Sequence, residues 1–494
     1  MKFDRYLVLI LIFFTLPSQA QKIDFSSSEK SFQRTFSKVI GQNAKGFFVV
    51  KSQNAFNNKA EQLRLRDNRV EVSFFENNMS MKWSNPLVFT DNNAEIQDIL
   101  LLQDSLYLFY AIPNKTSSKN ELFVQRIDTE TGMYVGPAKL LDAIEFDRKR
   151  NKGMFYIKRS KNSKLIATMY KQTSPEDEKL NIKIKVMDSS FHLVWEKMYK
   201  TDSYDGVLLL NDFKLSNDSV VYFLTSLDLE KKLLRDRKHT LNIATSALDK
   251  IQMIPISLDK YFINDIKMEI DYINRNIVFA GFYSELNSFS SAGIFYARIK
   301  FKDQKLKIFS ESFKAKFLNE FNTERTVNRG TELINYFVDR IILRTDGGVI
   351  LISESNYITE STNYNSYYQL YTTSYTYHYD NVLLFSVNPD GKIHWENIVR
   401  KNQVSEDDAA FYSSYIYTLD VDRIHIIYNK FIRKSTDIIC TTINQKGEST
   451  EKIIVKEADN TLMMPGGGRQ ISADQIIVPC IQKNKTNFMR INFN

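Results

Sequence analysis

Apolar and polar residues alternate along this chain in short runs. They rarely show the three-to-four spacing of long helices. One kind of run recurs: a polar turn followed by a densely apolar strand. Examples are GFFVVKS (46–52), SLYLFYAI (105–112), KLIATMYK (164–171), SVVYFLTSL (219–227), NIVFAGFY (276–283), GVILISES (348–355), RIHIIYNK (423–430) and QIIVPCIQ (475–482). Their starts lie 59, 59, 55, 57, 72, 75 and 52 residues apart. A second apolar strand follows each, as in VEVSFFEN (71–78), ELFVQRID (121–128) and NVLLFSVN (381–388). A turn then leads to a third strand. Asn388-Pro389-Asp390-Gly391 is such a turn, with proline pre-setting φ and glycine tolerating a positive φ. A further strand precedes each apolar one, for example MFYIKRS (154–160), VLLLNDFKL (207–215), DIKMEI (265–270) and YFVDRIIL (336–343).

Four antiparallel strands repeated every 50–60 residues or so is the pattern of a β-propeller. The expected fold is therefore all-β, a ring of eight four-stranded blades, with seven as the alternative. The chain ends after the third strand of the last unit. Lys22 to Ser26 is expected to supply the missing strand and close the ring without an exposed edge. Trp83, Trp195 and Trp395 fall at corresponding places, a few residues past the same turn. The reading preferred for them is packing between adjacent blades rather than a ligand platform.

Two interruptions break the period. Residues 313–332 place Phe313, Phe317 and Phe321 at every fourth position, which predicts a short amphipathic helix packed under the ring. Residues 355–380 read SNYITESTNYNSYYQLYTTSYTYHYD and join the second and third strands of one blade, so they are expected to project from one face. Tyrosine with Ser, Thr and Asn combines rigid contact area with adaptable hydrogen bonding, the composition of antibody paratopes. Candidate ligand-binding residues are Tyr364, Tyr367, Tyr368, Tyr371, Tyr375, Tyr377 and His378. The competing reading is a hairpin whose rings pack on its own blade.

The amino terminus changes the picture of where the chain works. Lys2 and Arg5 precede an apolar run from Tyr6 to Leu16; Pro17 breaks it, and Ser18-Gln19-Ala20 sets small residues where a signal peptidase cuts. Residues 1–20 are thus expected to be a signal peptide and 21–494 a single propeller domain. No later stretch approaches the length of a membrane-spanning helix. The expected location is periplasmic or extracellular, with peripheral attachment at the outer membrane as a variant, and a monomer is expected.

Composition narrows the chemistry. The chain has 494 residues, with 66 Lys+Arg against 58 Asp+Glu, a formal net charge of +8. The basic residues are scattered, so no nucleic-acid partner is expected. Two cysteines exclude a disulfide scaffold, and Cys440 and Cys480 are expected to be buried, unpaired thiols. His192, His239, His378, His394 and His425 are dispersed, without metal-ligand spacing. Pro465-Gly466-Gly467-Gly468-Arg469 lacks the Lys-Ser/Thr of a phosphate loop and reads as a turn entering the last blade. No cofactor, metal or catalytic residue is assigned. Asp212, Asp265, Asp339 and Glu354 are the carboxylates that a channel-centred polysaccharide hydrolase or lyase would use.

The stretch TDGGVILISES…YDNVLLFSVNPDGKIHWENIV, with the leader and the repeat, resembles exported β-propeller proteins of unassigned function in Bacteroidetes-type bacteria. Its D-x-x-G-x-x-x-W spacing is weakly similar to quinoprotein repeats, but the regular Gly and Trp of that family are absent from most units, so its cofactor is not implied. The resemblance implies a compartment and a fold. The expected function is a non-enzymatic binding or scaffold propeller that holds an envelope or extracellular protein or glycan; the alternative is the polysaccharide hydrolase or lyase.

Overall fold

The computed structural model describes residues 21–493 except 28–34, 56, 58–59, 61, 67–68, 148–150, 175–177, 205–206, 228–238, 287–289, 303–304, 328–329, 366, 368–369, 434 and 484. The expected signal peptide lies outside the described residues.

The second strands explain the pattern that dominates the sequence. Gly46–Ser52 and Asn276–Ser284 are buried at every position. A strand in the middle of a sheet that is itself covered on both faces has no polar side, so it reads as a continuous apolar run. Each lies in an antiparallel sheet whose strands follow chain order. Numbered along the chain by their first strands, the sheets begin at Phe36–Asn43, Glu95–Leu102, Tyr156–Arg159, Leu208–Leu215, Phe262–Asp271, Tyr336–Leu343, Tyr415–Leu419 and, in sheet 8, Thr461–Met463 continued by Arg469–Gln470.

Hydrophobic clusters fill the spaces between successive sheets. Phe48 and Phe74 of sheet 1 pack with Ile96 and Leu108 of sheet 2. Phe279 of sheet 5 packs with Leu241 of sheet 4, and Phe282 with Phe385 of sheet 6. The last cluster returns to the start: Val39, Phe47, Val49 and Phe75 of sheet 1 meet Ile477 and Phe488 of sheet 8. This circular packing makes the chain a β-propeller.

The ring closes as the sequence suggests. Lys22–Phe25 pairs antiparallel with Lys485–Asn492 and completes sheet 8. Asp24 bonds Arg490 at 2.8 Å across this seam, and the Asn492 amide donates to the Lys22 carbonyl at 3.0 Å.

The tryptophans sit on fourth strands and tie neighbours together. The Nε1 of Trp83 donates to the Thr129 carbonyl, that of Trp195 to Ser219 and that of Trp395 to Gln445, each in a turn of the next sheet. Gly447, at φ +80°, lies so close under Trp395 that a Cβ there would stand 2.7 Å from the indole. Glycine therefore serves this turn twice, for its φ and for the ring above it.

Over residues 313–332 the chain makes two single helical turns, Ala315–Leu318 and Glu324–Val327. Phe313, Phe317 and Phe321 still form a row, with centroids 5.3 and 5.4 Å apart, and the first two pack on Phe385. Cys440 and Cys480 are buried free thiols. Burial pushes Cys440 up to about 11 and Cys480 higher still. Among the described residues, no helix is long and apolar enough to cross a membrane.

Candidate functional site

Two places depart from simple packing: the channel inside the ring and the long hairpin of sheet 6.

The first strands of all eight sheets contribute to one cavity of about 980 Å³, through Lys38, Asp98, Lys158, Lys214, Glu269, Arg340, Tyr415 and Arg469. A second compartment of about 450 Å³ shares Lys158, Lys214, Glu269, Asp339 and Arg340 with it. Five of these strands carry a register shift: between Val39 and Gly41, Ile96 and Asp98, Leu210 and Asp212, Ile263 and Asp265, and Val338 and Arg340. An extra residue at such a bulge leaves backbone N–H groups without a ladder partner. Asp98, Asp212 and Asp265 answer this locally, each accepting from the N–H of the next residue at 2.7–2.9 Å. The other oxygen of Asp212 accepts from the Met268 N–H, and that of Asp265 from the Val338 N–H at 2.6 Å, both on the next sheet. These aspartates staple neighbouring sheets.

The sequence does carry this motif, as IQDI, LNDF and INDI at 96–99, 210–213 and 263–266. Aligning the first strands would have exposed it; sequence reasoning instead followed the more apolar second strands. In sheet 6 the corresponding residues are Val338-Asp339-Arg340-Ile341, so an arginine stands where sheets 2, 4 and 5 place the stapling aspartate.

The four candidate carboxylates do not converge. Asp212 and Asp339 both line the second compartment. Asp265 is committed to its staple, and burial raises its carboxyl above the ordinary range. Asp339 accepts from the Tyr415 hydroxyl at 3.0 Å; burial holds that phenol well above its ordinary range, with the Asp339 charge adding to the effect. Glu354 lies at the foot of the hairpin, fully buried, 2.7 Å from the Lys401 ammonium. It also accepts from the Ser414 hydroxyl at 2.6 Å.

Cations outnumber acids on the cavity wall. Lys38, Lys158, Arg159, Lys161, Lys214, Arg340 and Arg469 face Asp98, Glu269 and Asp339. Lys214 pairs with Glu269 at 2.8 Å. Lys158 is pushed down to about 8, first by burial and then by Lys214. Burial also lowers Lys38 and raises Asp98.

The glycine-rich segment proves to be part of this wall. Pro465–Gly467 is a single 3-10 turn that splits the first strand of sheet 8. A Cβ on Gly467 would collide with the Ser37 carbonyl, and one on Gly468 with Ile416. The turn entering the last sheet therefore runs along the channel, with glycine needed because two neighbouring first strands pass against it.

The hairpin is built from Val349–Asn365 and Leu370–Val387, the second and third strands of sheet 6. Its pairs include Tyr364 with Tyr371, Glu360 with Tyr375, Ile358 with Tyr377 and Asn356 with Tyr379. Side chains alternate faces along a strand, so these pairs share one face. That face carries Tyr364, Tyr371, Tyr375, Tyr377, Tyr379 and Ile358. Tyr371 is 74% exposed, Ile358 60% and Tyr364 54%. The Tyr364 and Tyr371 rings lie 4.9 Å apart. His378 belongs to the other face, where it stacks on Tyr357 at 4.4 Å. Tyr367, at the tip, is 85% exposed; Tyr368 lies outside the described residues. The alternation Tyr375-x-Tyr377-x-Tyr379 predicts one face, so Tyr379 and Ile358 were legible as its members and His378 as an outsider.

The strand Gln403–Glu406 pairs with the far side of Leu370–Val387, opposite Thr376 to Tyr379. Asp407 then accepts from the Tyr375 N–H at 2.9 Å. These bonds brace the base of the hairpin. Burial raises the Tyr377 phenol, with Asp408 and Asp407 adding to it. Among the described residues, no three His, Cys, Asp or Glu side chains stand close enough together to hold a metal ion.

By fold, the chain is a propeller with a central basic channel and one projecting tyrosine-bearing ribbon. It is similar to the WD40 domain of SCAP from fission yeast, at 8% identity over 96% of this chain and 98% of that one, with a TM-score of 0.41. The β-propeller domain of the Trilobed protease from Pyrococcus furiosus is similar at 10% identity, over 87% and 98% of the two chains, with a TM-score of 0.36. An endo-arabinase from Bacteroides thetaiotaomicron matches at 10% identity over 59% and 98%, with a TM-score of 0.27. No family model and no curated protein matches the sequence.

Proposed function

We propose that this protein is an exported binding or scaffold propeller that holds a protein or glycan partner on the tyrosine face of the sheet 6 hairpin. The observation that carries this reading is the face itself: neighbouring phenol rings, those of Tyr364, Tyr371 and Tyr375 exposed, on a ribbon braced by a third strand. Tyrosine loses little conformational entropy on contact and offers both a flat apolar ring and a hydroxyl. Both partner classes suit it: a sugar face stacks on such rings, and a protein surface fills the spaces between them. Threonines at 362 and 373 occupy the same face and add hydrogen-bonding groups between the rings.

The hydrolase or lyase reading is weaker for a stated reason. Asp212 and Asp265 accept backbone N–H groups of the next sheet, Asp339 accepts the Tyr415 hydroxyl and Glu354 is paired with Lys401. A general acid and base must both be free to reach one glycosidic bond.

The test replaces Tyr364, Tyr371 and Tyr375 together with alanine. Binding is read against an envelope-protein extract and a glycan array, with circular dichroism as the folding control. Capture of one partner class by the native chain, reduced at least tenfold in the triple variant with an unchanged spectrum, is the expected result. Equal capture by both proteins would remove the hairpin from the account.

A further inference from the structure

We propose that the central channel is a second binding site, separate from the hairpin, that takes a small soluble anion carrying two or more phosphate groups. The wall supplies positive charge from several directions: Lys38 from sheet 1, Lys158 from sheet 3, Arg340 from sheet 6 and Arg469 from sheet 8. A singly charged ion reaches one side of such a space, whereas a chain of phosphates spans it. The volume of about 980 Å³ lies at the upper end of the range for small-molecule sites.

Acids on the same wall offset only part of this charge, since Asp98, Glu269 and Asp339 face seven lysines and arginines. Asp98 accepts the Leu63 and Ile99 N–H groups. Glu269 is engaged by Lys214, and Asp339 by Tyr415. Lys38 donates to the Ala60 carbonyl at 2.8 Å, and Arg469 donates to the Ile40 carbonyl. A neutral carbonyl orients a cation and leaves its charge in place. Burial first, and then the neighbouring Lys214 charge, make Lys158 lose its proton easily, with a value near 8.

Arg340 is the centre of the argument. It stands at the bulge position where sheets 2, 4 and 5 place a stapling aspartate, so the repeat has exchanged a structural acid for a base. Its guanidinium lies 5.7 Å from the Tyr417 ring centroid, and the residue remains exposed to the cavity. A planar fork held against a ring presents paired donors, the geometry that suits phosphate oxygens.

The experiment is calorimetric titration of the chain with inorganic pyrophosphate at pH 8.2, in two buffers of different ionisation enthalpy. Saturable binding with net proton uptake is expected, because a bound anion returns protons to Lys158. Arg340→Gln should weaken binding at least tenfold, while Arg126→Gln, an exposed arginine of sheet 2, leaves it unchanged. Orthophosphate should bind more weakly than pyrophosphate. Absence of saturable binding, equal loss in both variants, or chloride and acetate competing as well as orthophosphate would each overturn the proposal. Failure here leaves the hairpin reading untouched, since the two sites share no residue.

Discussion

Sheets 5 and 6 are neighbours built on one plan, and they differ where it matters. In sheet 5 the bulge holds Asn264-Asp265, and the aspartate ties the sheet to Val338 of the next. In sheet 6 the same place holds Asp339-Arg340, with the acid turned to Tyr415 and the base toward the channel. The second and third strands of sheet 5 end at Ser284 and begin again at Gly293, whereas those of sheet 6 run on to Asn365 and Leu370. Sheet 6 also buries a complete ion pair, Lys401 with Glu354, at the foot of its hairpin. Sheet 5 is a spoke of the wheel. Sheet 6 spends its extra residues on two outward-looking features, one at the axis and one at the face. Departures from a structural repeat are thus the places to look for function, because packing alone does not require them.

The largest effect should come from breaking the feature found in sheet 6. Lys401→Met leaves a carboxylate buried without its cation, and it should cost about 3–5 kcal/mol in urea unfolding. The double variant Lys401→Met with Glu354→Met should recover most of that loss. A single-variant cost below about 1 kcal/mol would mean that the pair does not hold the hairpin base.

The next effect compares the two bulges directly. Asp265→Ala strands two backbone N–H groups at a sheet junction and should cost about 2–4 kcal/mol. Arg340→Ala removes an exposed side chain without a staple and should change stability by less than about 0.5 kcal/mol. Equal costs would erase the distinction between a structural and a functional bulge.

The smallest effects are in the pH dependence. Burial lowers His425 to about 4 from 6.5, where it stacks on Phe493 at 4.3 Å. Between those values the unfolded chain binds more protons than the folded one, so stability falls as pH drops from 6.5 toward 4. Lys158 also binds its proton less tightly when folded, with a value near 8 against 10.5. Its contribution therefore rises as pH climbs from about 8 to 10.5. Melting temperatures across pH 4–10 should show the acid loss shrink in His425→Gln and the alkaline gain shrink in Lys158→Met. Unchanged profiles in both variants would show that other groups set the pH dependence.

Much of the wheel was legible beforehand. The fully apolar second strands, the Asn388–Gly391 turn and the tryptophans on fourth strands are local facts, since a strand covered on both faces must be apolar and a turn with positive φ needs glycine. Lys22–Phe25 as the closing strand followed from counting strands. The hairpin was legible as a projecting insert, but its candidate residues mixed two faces, since His378 pairs with Tyr357 on the side opposite Tyr375 and Tyr377. The stapling aspartates were harder to see: an Asn-Asp dipeptide reads as a turn, and only the register shift shows it to be a bulge whose acid reaches across to the next sheet.

Sequence alone, then, determined the strands, their repeat and the ring they close, because these depend on which faces a residue must hide. Tertiary structure decided which charges meet. Lys38, Lys158, Arg340 and Arg469 are more than 400 residues apart at their extremes, and only the closing of the circle brings them to one cavity. Charge interaction depends on distance in space and on the water left between groups, and neither is written in the spacing along the chain.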